Sequence, residues 1–162
     1  MCETMAILRF LAKKLTESGH EYYPETTELQ WQCNSIMDGF SNLMNLSGPV
    51  VIAFTQGGKL KEDRSSDMDK AVIILAEALE KFLTMIETRM HKHGHKFVAG
   101  NSVTCADFCV FSLWSNWGLN EQCPIKTIVS KTFDAHTKIM DWQEEMNEML
   151  NSYLMHRDPS PF

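Results

Sequence analysis

The densest chemistry in the chain lies between His91 and Cys109. His91-Lys92-His93-Gly94-His95 carries three imidazoles, and His91 and His95 stand four apart, a spacing that one helix face can use to hold a metal. Gly94 breaks the helix between them, and cations gather at helix C-termini for electrostatic reasons alone. The expectation is therefore no metal site. Cys105 and Cys109 are also four apart. A thiolate in a first helical turn would be stabilised, but two small apolar side chains packed in a core explain the pair more simply. Val103-Thr104-Cys105-Ala106-Asp107-Phe108 is the most specific local pattern. Thr104 can cap the amide of Asp107, and the Asp107 carboxylate can return to the amide of Thr104, with Val103 and Phe108 at the staple positions. A catalytic Asp107 would have to compete with its own helix, so the pair Thr104 and Asp107 reads as a structural capping box. No Cys-x-x-Cys, glycine-rich phosphate loop, His-Glu-x-x-His or Gly-x-Ser-x-Gly occurs.

These groups must be held by helices, because the pattern is helical almost throughout. A first helix over about Thr4–Leu15 carries Met5, Leu8, Leu11, Ala12 and Leu15, with Ile7 broadening the stripe and Phe10 off it. A helix apolar over so much of its circumference needs cover on two sides. A second helix starts near Thr27, where Thr27 and Gln30 have capping-box spacing, and repeats Leu29, Cys33, Ile36, Met37, Phe40, Leu43 and Met44. Gly48-Pro49 punctuates it, and Val50–Phe54 reads as a resumed helix. Ser66 and Asp69 open a third helix, with Val72, Leu75, Leu79, Phe82, Leu83, Ile86 and Met90 inward and Gly94 as its stop. Further helices are expected over about Thr104–Trp117, Lys126–Phe133 and Ala135–Leu154, and residues 157–162 are not helical. The four tryptophans sit on or beside these stripes and read as core. The class is all-α, a bundle of five to seven helices.

Composition narrows the function. The 162 residues are 44% hydrophobic and 22% charged, an ordinary globular balance for one domain. Lys+Arg number 15 against 21 Asp+Glu, giving a net charge of −6. That charge argues against nucleic acid or an anionic membrane as partner. The longest apolar run, Val50–Phe54, is far too short to span a membrane. Cys2, Cys33, Cys105, Cys109 and Cys123 make an odd, scattered set, a poor disulfide framework. The expected setting is cytoplasmic, or another reducing intracellular compartment.

Glu3-Thr4-Met5-Ala6-Ile7-Leu8-Arg9-Phe10-Leu11 resembles the start of the third helix of glutathione transferases. Glu28-Leu29-Gln30-Trp31-Gln32 and Met37-Asp38-Gly39 resemble the family's fourth helix. Lys96 to Asp107 matches its buried capping motif, and Tyr153 to Pro159 resembles the C-terminal end of sigma-like members. The resemblance implies a glutathione-transferase C-terminal-like helical domain over 16–162, preceded at 1–15 by the third helix of a thioredoxin-like domain. In the family, that thioredoxin-like domain supplies the catalytic Tyr, Ser or Cys and the cis-Pro that grips glutathione. The sequence enters the resemblance after those residues. Glu3 and Thr4 correspond to the pair that holds the γ-glutamyl group, and Asn34 and Asn42 stand where acidic residues are common.

The resemblance therefore implies no catalytic residue in this stretch, a vestigial glutathione site at Glu3 and Thr4, and no cofactor. Glutathione would bind only if the missing domain were supplied. The first reading is an interaction or scaffold module in a larger assembly. It would meet a protein partner or a second copy through Ile7, Phe10 and Leu11 on the first helix. The alternative is a truncated chain of a genuine transferase that conjugates glutathione to electrophiles.

Overall fold

The computed structural model describes residues 4–19, 21–59, 62–63 and 66–157. Six α-helices follow one another: α1 Thr4–Glu17, α2 Thr27–Thr55, α3 Asp67–His93, α4 Cys105–Leu113, α5 Lys126–Asp134 and α6 Thr137–His156. A π-helical turn, Trp114–Gly118, extends α4, closed by the bond from Leu119 N–H to the Trp114 carbonyl at 2.9 Å. Among the described residues there is no strand, only an isolated bridge between Phe97 and Gly100.

The helix limits have local causes. Thr26, not Thr27, is the N-cap of α2, and its side chain accepts from the Leu29 N–H. Gln30 is instead turned back onto the loop, donating to the Pro24 carbonyl at 2.9 Å. Ser66 caps α3 by accepting from the Asp69 N–H at 3.1 Å. Gly94 ends α3 at φ 66°, a left-handed conformation that glycine adopts without steric cost. Pro49 does not divide α2, which runs unbroken for 29 residues with Val50 buried beyond the proline.

The α2 and α3 helices run antiparallel, as the pairs Trp31–Arg89, Gly39–Phe82 and Gly58–Met68 require. Their seam is tight. A Cβ on Gly39 would stand 2.7 Å from the Phe82 ring, so only glycine lets the two helices approach this closely. The α4 helix is nearly all buried, with Cys105, Ala106, Cys109, Val110, Phe111 and Leu113 in the core. It packs on α2, while α5 and α6 close the far side against α3. Trp142 of α6, Phe133 of α5 and Trp114 and Trp117 of the π turn complete that core. Trp31 departs from the expected core role. It is exposed on α2, with the Arg89 guanidinium 5.0 Å over its ring.

The α1 helix contacts only α2 and α4 closely. At about 100° per residue, Met5, Leu8, Arg9 and Ala12 share one side of it. Ala12 is buried, and Met5 and Leu8 pack against the core. Arg9 donates from Nε to Asn34 Oδ1 at 2.8 Å and pairs with Asp38, both on α2. Leu15 was expected to join this stripe but turns outward, and Leu11, counted both in the stripe and in the expected interface, is exposed with Ile7 and Phe10. The bundle is only wide enough to cover one arc of α1.

Candidate functional site

Three regions carry the groups singled out in the sequence. The first is the N-terminal half of α1. Glu3 lies outside the described residues. Thr4 is exposed and borders a cleft of about 380 Å³ with Met5, Phe40, Ser41, Met44 and Asn45. Its lining offers hydroxyl and amide groups beside two thioethers and a ring. None of these six described side chains is a base or a thiolate. Asn34 is engaged behind it, donating to the Tyr23 hydroxyl at 2.9 Å while it accepts from Arg9. Asn42 is exposed.

The outer face of the same helix is apolar. Ile7 is 46% exposed, Phe10 60%, Leu11 49% and Leu15 44%. On a helix these four directions fall within one arc of about 140°. Lys14 interrupts the arc and pairs with Glu17 along the helix at 2.8 Å. Among the described residues, nothing covers Ile7, Phe10 and Leu11 on this face.

The second region is the start of α4. Thr104 and Asp107 form the capping box, and Asp107 is 0% exposed. Asp107 Oδ2 accepts from the Thr104 N–H at 2.7 Å and from its hydroxyl at 2.9 Å. Its Oδ1 accepts from the Val98 N–H at 3.0 Å and from Trp142 Nε1 at 2.9 Å. Burial pushes the carboxyl pKa up, against these four donors. With every lone pair engaged, Asp107 ties the 97–100 loop, α4 and α6 together and has no free oxygen for a substrate. The Trp142 bond, 35 residues away in sequence, had no local signal to announce it.

The third region is the C-terminal end of α3. His91 and His93 are exposed and His95 is buried, its ring stacked 5.3 Å from that of His93. Burial, with the neighbouring His93, lowers the His95 pKa. Among the described residues no group of three or more His, Cys, Asp or Glu could hold a metal. A histidine that the spacing did not single out is the better placed one. His136, the N-cap of α6, sits between Glu87 at 2.7 Å and Glu80 at 3.4 Å. Glu87 also accepts from the Lys138 N–H at 2.9 Å, which locks α6 onto α3. Sequence spacing could not find it, because the nearer partner in sequence, Glu87, is 49 residues away.

Comparison with known proteins follows this geometry. A family model described as glutathione S-transferase, C-terminal domain, matches residues 54–156. Glutathione S-transferase 1 of Ascaris suum is 22% identical over 167 residues, covering 100% of this chain and 71% of that protein. Among solved structures, monomeric Na-GST-3, a glutathione S-transferase from the hookworm Necator americanus, superposes with a TM-score of 0.76 at 20% identity. The glutathione S-transferase from Ascaris lumbricoides gives 0.73 at 20% identity. Both alignments cover 100% of this chain and 71% of the other. Among the described residues, no helix is long and apolar enough to cross a membrane.

Proposed function

This chain belongs to the glutathione S-transferase C-terminal domain family, and from that premise we propose that it acts by itself as a non-catalytic interaction module. The observation that carries the reading is the uncovered apolar face of α1. Ile7, Phe10, Leu11 and Leu15 keep roughly half of their surface in water while the opposite side of the same helix is anchored by Arg9. Covering the exposed half of each is worth about 1 kcal/mol or more, so together they favour a protein surface over solvent. The net charge of −6 does not favour a nucleic acid or an anionic membrane in that place. We assign residues 1–15 to the edge of a thioredoxin-like domain and 16–162 to the helical domain.

A second reading has its own support. The relatives are named glutathione S-transferases, and Thr4 stands at the rim of a cleft of about 380 Å³ beside Phe40 and Met44. If a thioredoxin-like domain covers the α1 face, Glu3 and Thr4 become one wall of a glutathione site, and the assembly is a transferase with its thiolate activator on the other domain. The setting would be a reducing compartment in either case, since an odd, scattered set of five cysteines makes a poor disulfide framework.

The experiment is incorporation of a photo-crosslinking phenylalanine analogue at position 10 in the chain expressed in its own cells. A crosslink to a second polypeptide that Ile7→Asp abolishes, with helical content unchanged by circular dichroism, supports the module. A folded chain that crosslinks to nothing from position 10 overturns it.

A further inference from the structure

The seam between α2 and α4 holds a sulfur cluster that the proposed function does not use. Cys33 of α2 and Cys105, the first residue of α4, bring their Sγ atoms to 3.6 Å although they lie 72 residues apart. Cys105 Sγ is also 3.4 Å from Met37 Sδ, and Cys109 Sγ is 4.0 Å from Met5 Sδ. Cys33, Cys105 and Cys109 are all buried free thiols.

The two members of the close pair are not equivalent. The Cys33 sulfur rests against the open end of α4. There the contact with the Cys105 thiol, foremost among its neighbours at that helix end, holds its pKa below the ordinary thiol value despite burial. A helix N-terminus is where a thiolate is stabilised and a cysteine becomes reactive. Cys105 is the opposite case: its bond to Cys33 and its burial both raise its pKa. Cys109 is no competitor, because burial pushes it up to about 12 and its sulfur contact is a thioether. A cleft of about 310 Å³ between the 21–26 and 99–104 loops has Thr104, the residue before Cys105, in its wall, and neither sulfur lines it.

We infer that Cys33 and Cys105 are an oxidisable pair, in which Cys33 reacts first with a hydroperoxide and Cys105 closes on it to form a disulfide joining α2 to α4. The Cys33 thiolate attacks one oxygen of hydrogen peroxide, the O–O bond breaks and hydroxide leaves, giving a sulfenic acid. The Cys105 sulfur then attacks that sulfur, the S–O bond breaks, and water departs with the Cys105 proton. Two thiols lose two electrons and the peroxide is reduced to water. Closure requires the sulfurs to approach from 3.6 Å to a bond of about 2.05 Å. The bridge would tie together the two helices on which α1 rests, so oxidation would act on the platform of the docking face.

The test treats the reduced, folded full chain with hydrogen peroxide, blocks remaining thiols in denaturant with N-ethylmaleimide, and maps a non-reduced digest by mass spectrometry. The expected result is one dominant crosslink between the Cys33 and Cys105 peptides, reversed by dithiothreitol, with two fewer of the five thiols titrating. In Cys105→Ala, dimedone should label Cys33, and in Cys33→Ala it should leave Cys105 unlabelled. A dominant Cys105–Cys109 link overturns the inference. So does a link that forms only when the chain is unfolded before oxidation, or survival of both thiols in the folded chain.

Discussion

Replacing Asp107 by alanine should be among the most costly single changes in the chain. The carboxylate is fully buried and accepts four hydrogen bonds, from Val98 N–H, Thr104 N–H, the Thr104 hydroxyl and Trp142 Nε1. The hydroxyl can rotate to another acceptor, but two backbone amides and an indole are left without one. An orphaned buried donor costs about 1–3 kcal/mol, so the gross loss is about 6 kcal/mol. Against it stands the relief of no longer desolvating a carboxylate, a cost already visible in the raised Asp107 pKa. We expect a net loss of about 3–5 kcal/mol, in the range reserved for broken buried networks. For a chain of this size that lowers the melting temperature by roughly 6–20 °C. Asp107→Asn should not rescue it, because an amide nitrogen would then face donors. Urea denaturation followed by circular dichroism is the assay, with Trp142→Phe as the second edge of a double-mutant cycle. A loss below about 1 kcal/mol, or strict additivity with Trp142→Phe, would refute the four-donor account.

Glu87→Gln should loosen α6 and change the acid limb of stability. Burial opposes the Glu87 charge, but the bonds from His136 and the Lys138 N–H outweigh it and lower its pKa. Stability tied to Glu87 is thus present above the ordinary glutamate value of about 4.3 and lost as pH falls through the lower folded value. The acid-unfolding curve of Glu87→Gln should be flatter there than that of the parent. Gly118→Ala would place a Cβ 2.3 Å from Trp114 Cε3 and should cost about 1–3 kcal/mol in the same denaturation assay. The purified chain should conjugate no glutathione to an aryl halide above the uncatalysed rate. Turnover that disappears in Thr4→Ala would contradict the non-catalytic reading.

Local order was legible in the sequence and long-range pairing was not. The stripe of α3 and the Gly94 stop follow from periodicity and backbone sterics, which act over a few residues. The second face of α1 was legible too, since Ile7 and Phe10 cannot turn inward together with Met5 and Leu8. Leu11 and Leu15 were harder, because an apolar side chain at the border of two arcs follows whichever neighbour reaches it. The Thr27 cap slipped by one residue because two threonines adjoin and spacing alone does not choose between them. Cys33 beside Cys105, and His136 between Glu80 and Glu87, depend on how α2, α3, α4 and α6 stack. No short-range pattern encodes that stacking.

The central claim is that the outer face of α1 is a docking surface for a second polypeptide. Sedimentation velocity of the chain, in native extract and after purification, compared with Phe10→Asp, tests it most directly. The account predicts that the parent chain sediments as a species larger than one chain in at least one of these settings. Phe10→Asp should sediment as a single chain in both, with its helical content unchanged. A parent chain that sediments alone in both settings, with residue 10 as open to a water-soluble footprinting reagent as an unfolded peptide, would contradict it.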